Sequence, residues 1–455
     1  MPPTDRRPRR AALDHGAERV SELALLLLAL SLLLAPAGVA AALLLLWLGF
    51  AGRMAARWRG PRAAAASLAH SHPVVWLTAL FVLYCLMQTL LLHVLPTGGP
   101  PPDPGTAADW ARLAVFVPAA YVIAARPERL PLLLLLALIG LAGGMLLRLD
   151  WDLLLSDAGQ FIDKRAGFGF GAIAFGLYGG TALLGLILLR RDCWLDAAGR
   201  PRWWRLLLWS GATALVLQGL VMTKSRGAWL AFAVALALGL LLQWRRRAGV
   251  PTHGGGARGS RAAAVILAGV LAALAVANAV RIGDRVAETL ESARAMAAAE
   301  PAADEDSSMR LRWHAQLIGI DAVAARPWLG WGAGTAQALM GASNDPAVRY
   351  EDGGVLKHLH NSYLEAAVEL GLPGLALFLA IQLGLLAALA RRLRGGGGPA
   401  PAQRDLLVFL LAALVLLLVW ELFDYRVIRQ DWRGYWTLVA GGALGVVLRP
   451  LGRLR

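Results

Sequence analysis

The sequence predicts an all-α, polytopic membrane protein, and three observations carry that prediction. Of its 455 residues, 58% are hydrophobic, and the mean hydropathy is +0.56. Apolar runs such as "LPLLLLLALIGLAGGMLLRL", from Leu130, reach the roughly 20 residues needed to cross a bilayer. The arginines, finally, crowd into alternate loops. The net charge of +15 therefore reads as a topology signal, and no nucleic-acid partner is expected. Cys85 lies in an apolar span and Cys193 in a basic loop, so neither a disulfide nor a thiolate metal site is expected.

About twelve spans can be laid along the chain: 20–34, 37–51, 73–95, 108–125, 130–148, 168–189, 204–222, 227–243, 262–280, 361–390, 405–423 and 434–449. Arg6, Arg7, Arg9 and Arg10 flank the first of these in the manner of a signal peptide. Further spans follow and no small-residue cleavage site does, so the segment reads as a retained anchor. Only "APAG" separates the first two spans, and the charge pattern favours a hairpin there.

Loops 53–62, 190–205, 245–261 and 391–404 and the terminal "RPLGRLR" are rich in arginine, whereas "PTGGPPPDPGTAAD" (96–109) has neither Lys nor Arg. The positive-inside rule then puts both termini in the cytoplasm and loop 96–109 outside. Three regions result: residues 1–280 with spans one to nine, a large extracytoplasmic loop 281–360, and residues 361–455 with the last three spans.

A connection as long as 281–360 is functional or disordered. It begins with a segment of helical composition, "RIGDRVAETLESARAMAAAE", and continues through a polar turn, an amphipathic helix and a Pro/Gly-rich return. Leu311, Leu317, Ile318, Ile320, Ala322 and Val323, with Trp328 and Trp331, point to folding against the membrane surface. The Gly-rich tracts 254–256 and 395–398 read as connectors.

Charges at the outer mouths of spans are informative because topology does not require them there. "MTKSRGAWLAF" puts Lys224 and Arg226 in a minimal outer turn. Snorkelling to headgroups would account for Lys224 equally well; Arg226, between Ser225 and Gly227, reads as functional. Arg310, Arg312 and His314 stand together in "SSMRLRWHAQ", where guanidinium forks suit phosphate oxygens, although a solvated helix face is the simpler account.

"KHLHNSYLEAAVELGLPGLALFL" (357–379) sets His358, His360 and Asn361 at the mouth of a span. Ser362 is the expected helix cap, and Gly371, Pro373 and Gly374 predict a kink deeper in. His360 has the chemistry of a proton acceptor. Glu365, inside the span, needs a partner. The pair Asp150 and Asp152 and the run Asp304–Asp306 are weak cation cues with no His or Cys cluster behind them, so no metal and no other cofactor is expected.

The motifs "TKSRGAWLAF", "SSMRLRWHAQLIGIDAVAARPWLGWGAG" and "HNSYLEAAVELGLPGLALFL", in this order and topology, resemble the O-antigen ligase family over roughly residues 200–390. The resemblance implies a multi-span glycosyltransferase of the bacterial inner membrane with a periplasmic active site. Its donor would be O-antigen polysaccharide on undecaprenyl diphosphate, its acceptor the lipid A–core oligosaccharide, and its surroundings the membrane lipids. Arginines at the outer surface can stabilise a leaving diphosphate without a divalent ion, and a single displacement by an acceptor hydroxyl inverts the anomeric centre, so metal-independent, inverting transfer is expected. Arg226 and His360 fall on the family's outer-turn arginine and H-N-S histidine. The loop arginine falls on Arg312, counted back from "RPWLGWG", or on Arg310. Lys224, Arg310, His358 and Asn361 are then expected around the diphosphate or the acceptor.

A repeat-unit polymerase and a protein O-oligosaccharyltransferase share this donor chemistry and differ in acceptor. A transporter is disfavoured, because the suspicious charges gather at one surface and no internal repeat is evident.

Overall fold

The computed structural model describes residues 6–57, 71–95, 98–190, 202–247, 308–350, 353–395 and 401–448, with isolated positions at 193 and between 269 and 291. Among them there is no strand, only a single antiparallel bridge between Arg349 and Val355. The helices run α1 (Arg6–Ser31), α2 (Pro36–Arg57), α3 (Pro73–Val94) and α4 (Pro104–Ala111), which passes through a 3-10 turn, Arg112–Val115, into α5 (Phe116–Ala125). Next come α6 (Leu130–Leu147), the short α7 (Trp151–Ser156) and α8 (Ala158–Asp163), and α9 (Ala172–Leu188). They are followed by α10 (Trp203–Met222), α11 (Arg226–Arg247), α12 (Ser308–Ala325), α13 (Ala336–Ala342), α14 (Ser362–Arg394), α15 (Pro401–Trp420) and α16 (Gln430–Leu448).

Eight helical stretches among the described residues are long and apolar enough to cross a membrane, and α9 is apolar but shorter. The fold is thus an all-α polytopic membrane protein. The expected spans coincide with helices except 262–280, which lies mostly outside the described residues, as do Asp304–Asp306 and most of 281–307. Leucines at 80, 83, 86 and 90 of α3 stay exposed, the arrangement an apolar solvent favours. Inside the bundle, Trp110, Trp420, Trp432 and Trp436 are fully buried.

One element is longer than its apolar run suggests. Helix α1 begins at Arg6, because its polar turns are held by ion pairs: Asp14 with Arg57 at 2.9 Å, and Glu22 with Arg126 at 2.9 Å and Arg129 at 2.8 Å. These pairs gather the charged ends of α1 and α2 and the α5–α6 connection at one end of the bundle. The opposite end carries the segment 148–171, the turn 222–226 and the turn 421–430.

Helix α14 contains the expected kink. Gly371 leaves helical geometry with φ +71°, and Pro373 supplies no N–H to the helix ladder. The backbone groups released by the break are taken up by the "RPWLGWG" return. Trp331 N donates to Val368 O at 2.8 Å, Gly332 N to Glu369 O at 3.0 Å, and Leu372 N to Pro327 O at 2.7 Å. From α3, Tyr84 Oη donates to Leu370 O at 2.6 Å and Gln88 Nε2 to Glu369 O at 2.9 Å. A Cβ on Gly371 would lie 2.3 Å from Trp328 O, so glycine is required by space as well as by φ.

Above this break α12 builds a small separate core. Ala315, Ala322, Met340, Val348 and Leu359 are buried there, with Leu311, Ile318, Val323 and Trp331 packed against them. The expected membrane-facing set therefore divides: Leu317, Ile320 and Trp328 remain exposed, while the others face this core.

Candidate active site

The loop 357–361 is fixed from three sides. Glu365, one turn into α14, is buried, and its Oε2 accepts the backbone N–H of Leu359 at 2.7 Å. This supplies the partner that a carboxylate in a span requires. Gly319 of α12 packs directly on the Leu359 and Leu364 side chains. Asn361 caps α14, its Oδ1 accepting Tyr363 N at 3.0 Å and Leu364 N at 3.1 Å. Here the sequence expectation is corrected. Ser362 is not the cap, because its backbone N–H goes to Glu421 O at 2.8 Å and its hydroxyl to Asp424 O at 2.8 Å. Asn361 in turn has its carbonyl oxygen engaged by the helix.

These bonds tie the start of α14 to the turn between α15 and α16, and they bring together two groups far apart in sequence. His360 Nδ1 lies 3.2 Å from Asp424 Oδ1. A carboxylate only accepts, so the hydrogen between them sits on Nδ1. Both side chains are largely enclosed, 16% and 8% exposed. Burial raises the pKa of Asp424, but the bond from His360 and the charges of both imidazoles outweigh it and hold the carboxyl below its ordinary value. The His360 backbone adopts φ +54°, a left-handed conformation uncommon for a non-glycine residue outside strained or functional positions.

The ring of His358 sits 4.2 Å from that of His360 and 5.8 Å from Tyr425. Its pKa falls to about 4, first through burial, then through His360, Arg429 and Arg312, with Asp424 opposing.

Arg226 opens α11 two residues after Lys224, itself at φ +49°, and both are half-buried. Gly227 lies so close to Phe423 that a Cβ there would be 2.5 Å from the ring, which presses the Arg226 turn against the turn bearing Asp424. Arg312, half-buried on α12, has its pKa lowered by burial and by Arg165 and Arg226, against the pull of Asp424 and Tyr350. The two loop arginines stand in different surroundings. Two residues advance roughly 200° around a helix, and Arg310 belongs to another neighbourhood, where His314 Nδ1 meets Asp345 Oδ2 at 2.7 Å. There the backbone N–H of Ala347, His314 and Arg310 together overcome burial and hold the Asp345 carboxyl low.

His358, His360 and Asp424 thus cluster at the end of the bundle opposite the α1–α2 ion pairs, with the charge of Arg312 acting on His358 and that of Arg226 acting on Arg312. Beside Asn361 an apolar groove of about 270 Å³ runs between α12 and α14, lined by Ile320, Val323, Tyr363, Leu364 and Leu422.

His358, His360 and Asp424 each offer one ligand atom, all within 4.8 Å of one another, so a cation is geometrically conceivable there. It would enter against the charges of Arg312 and Arg429, which act on the same imidazole. The Asp150–Asp152 pair has other uses: Asp150 caps α7 through Leu153 N at 3.2 Å and pairs with Lys164 at 2.9 Å.

Asp424 was not singled out from sequence. The signal was present all the same, as a carboxylate just past the outer end of an apolar run in "VWELFDYR". That is the criterion that had flagged Arg226.

The chain is thus an all-helical membrane protein with an imidazole–carboxylate pair at one end of its bundle. Residues 211–379 match the family model described as O-antigen ligase (Wzy_C). This stretch is an O-antigen ligase family domain, whose members are glycosyltransferase-like enzymes. No curated protein matches the chain. The match takes in Lys224, Arg226, Arg310, Arg312, His358, His360 and Asn361, and it leaves Arg165 and Asp424 outside.

Proposed function

We propose that the chain is an O-antigen ligase of the bacterial inner membrane. It transfers O-antigen polysaccharide from undecaprenyl diphosphate to the lipid A–core oligosaccharide at the periplasmic face. The observation that carries this reading is the His360–Asp424 pair beside Arg226 and Arg312 at a single end of the bundle.

An acceptor hydroxyl of the core oligosaccharide attacks the anomeric carbon of the first O-antigen sugar. Its proton passes to Nε2 of His360, whose Nδ1–H is held by Asp424. The bond between the anomeric carbon and the diphosphate oxygen breaks, the electron pair leaves with undecaprenyl diphosphate, and the charge collecting on that group meets Arg226 and Arg312. One displacement inverts the anomeric centre. His358 lies beside His360, and the apolar groove beside Asn361 suits the lipid end of the donor. The arginines perform the charge stabilisation that a divalent ion would otherwise supply, so transfer proceeds without metal.

Reconstitution tests the reading directly. Purified protein, undecaprenyl-diphosphate-linked polymer and lipid A–core should yield long-chain product on lipid A–core, seen as a gel shift. Lengthening of polymer on undecaprenyl instead would identify a repeat-unit polymerase. Attachment to a Ser or Thr hydroxyl would identify a protein O-oligosaccharyltransferase.

A further inference from the structure

The return 326–332, between α12 and α13, meets the flank of an apolar helix and not its end. Gln88 Nε2 donates to Leu329 O at 2.7 Å, and Tyr84 Oη lies 3.4 Å from Trp328 O. Both partners belong to α3, which is long and apolar enough to cross a membrane and runs to Val94. At about 1.5 Å per residue, Gln88 sits about 9 Å and Tyr84 about 15 Å below that end. Leu86, Leu90, Leu91 and Val94 are all exposed, so the apolar flank of α3 continues above both contacts. A second helix of spanning length gives the same depth. Gln88 Nε2 also donates to Glu369 O at 2.9 Å, and Glu369 Oε2 accepts Trp110 Nε1 at 2.7 Å. Trp110 lies about 9 Å inside the stretch that starts at Pro104.

The chain follows the path of a re-entrant turn. Helix α12 leads to Trp328 and Leu329, and the backbone then climbs back to the connection beyond α3. Trp331 packs on Gly99, Gly332 packs on Pro102, and Asp103 N donates to Ala333 O at 2.8 Å. Irregular backbone persists at membrane depth where protein groups pair it. Here Gly330 N donates to Arg326 O at 3.1 Å, and Trp331 N and Gly332 N donate to α14, while Pro327 O accepts from Leu372 N and Leu329 O from Gln88. The Arg326 guanidinium is drawn aside, 3.8 Å over the Trp331 ring and toward Gly99. Asp321, well before the turn, is the last exposed charge on α12. What the turn itself shows is apolar: Trp328 is 71% exposed, with Leu329 and Leu372 exposed as well.

We propose that residues 326–332 form a re-entrant turn inside the membrane leaflet on the side of loop 98–103, and that Trp328, Leu329 and Leu372 bind the acyl chains of that leaflet. The occupant is lipid because this surface continues the exposed apolar flank of α3. The turn then lies deeper than the surface contact its sequence suggests, and it does so whatever reaction the site performs.

The experiment places a nitroxide on single cysteines of the full-length protein in proteoliposomes of phosphatidylethanolamine and phosphatidylglycerol. The background is Cys193→Ser, with the buried Cys85 left in place. Labels at Trp328→Cys, Leu329→Cys and Leu372→Cys are compared with Leu86→Cys, on the exposed flank of α3, and with Asn344→Cys, exposed in the turn after α13. Oxygen concentrates in hydrocarbon and a neutral nickel chelate stays in water, so their effects on spin relaxation report depth.

All three test sites should match Leu86→Cys in oxygen accessibility and fall several-fold below Asn344→Cys in nickel accessibility. Each replaced side chain points away from the backbone ties, and melting temperatures near that of the parent identify the folded variants; any one of the three sites suffices for the reading. Nickel accessibility equal to that of Asn344→Cys would put the turn in water and overturn the proposal. Screening from both reagents would mean that protein, such as a second copy of the chain, covers the patch, and would overturn it equally.

Discussion

His360 Nδ1 meets Asp424 Oδ1 at 3.2 Å although 64 positions separate the two residues. The contact exists because the first turn of α14 is bonded to the turn that carries Asp424, through Ser362 N to Glu421 O and Ser362 Oγ to Asp424 O. The pair fixes one imidazole tautomer, which is what a general base needs.

Replacing Asp424 should therefore impair turnover more than binding. In Asp424→Asn the amide can present an N–H to Nδ1 and favour the wrong tautomer, so kcat should fall by roughly 10² or more, the usual worth of a positioned base. KM for donor should change little. Steady-state transfer kinetics on folded variant check this, and unchanged kcat would remove Asp424 from the mechanism.

Acid should destabilise the fold through His358. Its ordinary value is 6.5 and the folded value about 4. Between these the unfolded chain binds the proton and the folded chain does not, so stability rises with pH across that window. The contribution is complete above about 6.5 and is lost as pH falls toward 4. The depressed carboxyl of Asp424 acts with the same sign at still lower pH. Melting temperatures in detergent should decline below pH 6.5, and His358→Gln should flatten that decline.

Glu365 should act on the loop above it. Glu365→Ala leaves the buried N–H of Leu359 without its acceptor, at a cost of about 1–3 kcal/mol. The loop bearing both imidazoles then loses its fixed backbone. Glu365→Gln keeps an acceptor oxygen and should recover part of both stability and kcat. Equal losses in the two variants, by melting and by transfer assay, would mean that the carboxylate acts in some other way.

Gly371→Ala should be among the more damaging single-methyl additions in the chain. The new Cβ meets Trp328 O at 2.3 Å and the backbone must hold φ +71°. A destabilisation of about 1–3 kcal/mol from the backbone conformation alone is expected. Thermal unfolding of the variant against wild type measures it.

Chelation should leave transfer intact. With guanidinium groups opposite the leaving diphosphate, EDTA at millimolar excess should not change the rate. Loss of activity restored by Mg²⁺ would instead direct attention to the trio His358, His360 and Asp424.

Much of the architecture was legible in the sequence because each span is a local property. Apolar length located the helices, and Gly371 with Pro373 foretold the break in α14. The motifs around Arg226, Arg312 and His360 lie within the stretch that matches the family model. What stayed hidden was nonlocal. Nothing near Asp424 in sequence tells that it meets His360. The cap went to Asn361 because Ser362 was drawn into bonds with the distant 421–424 turn. Helix α1 outran its apolar run because its acidic residues found arginines on other elements.

The break in α14 also bears on how substrates arrive. Residues 327–332 are stitched to that helix through Leu372, Val368 and Glu369. Swinging this strap outward like a lid would break its bonds to Leu372, Val368 and Glu369 together. Opening by such a hinge is therefore expensive, and under the proposed function a lipid-borne donor would arrive sideways, out of the bilayer, past a strap that never has to lift.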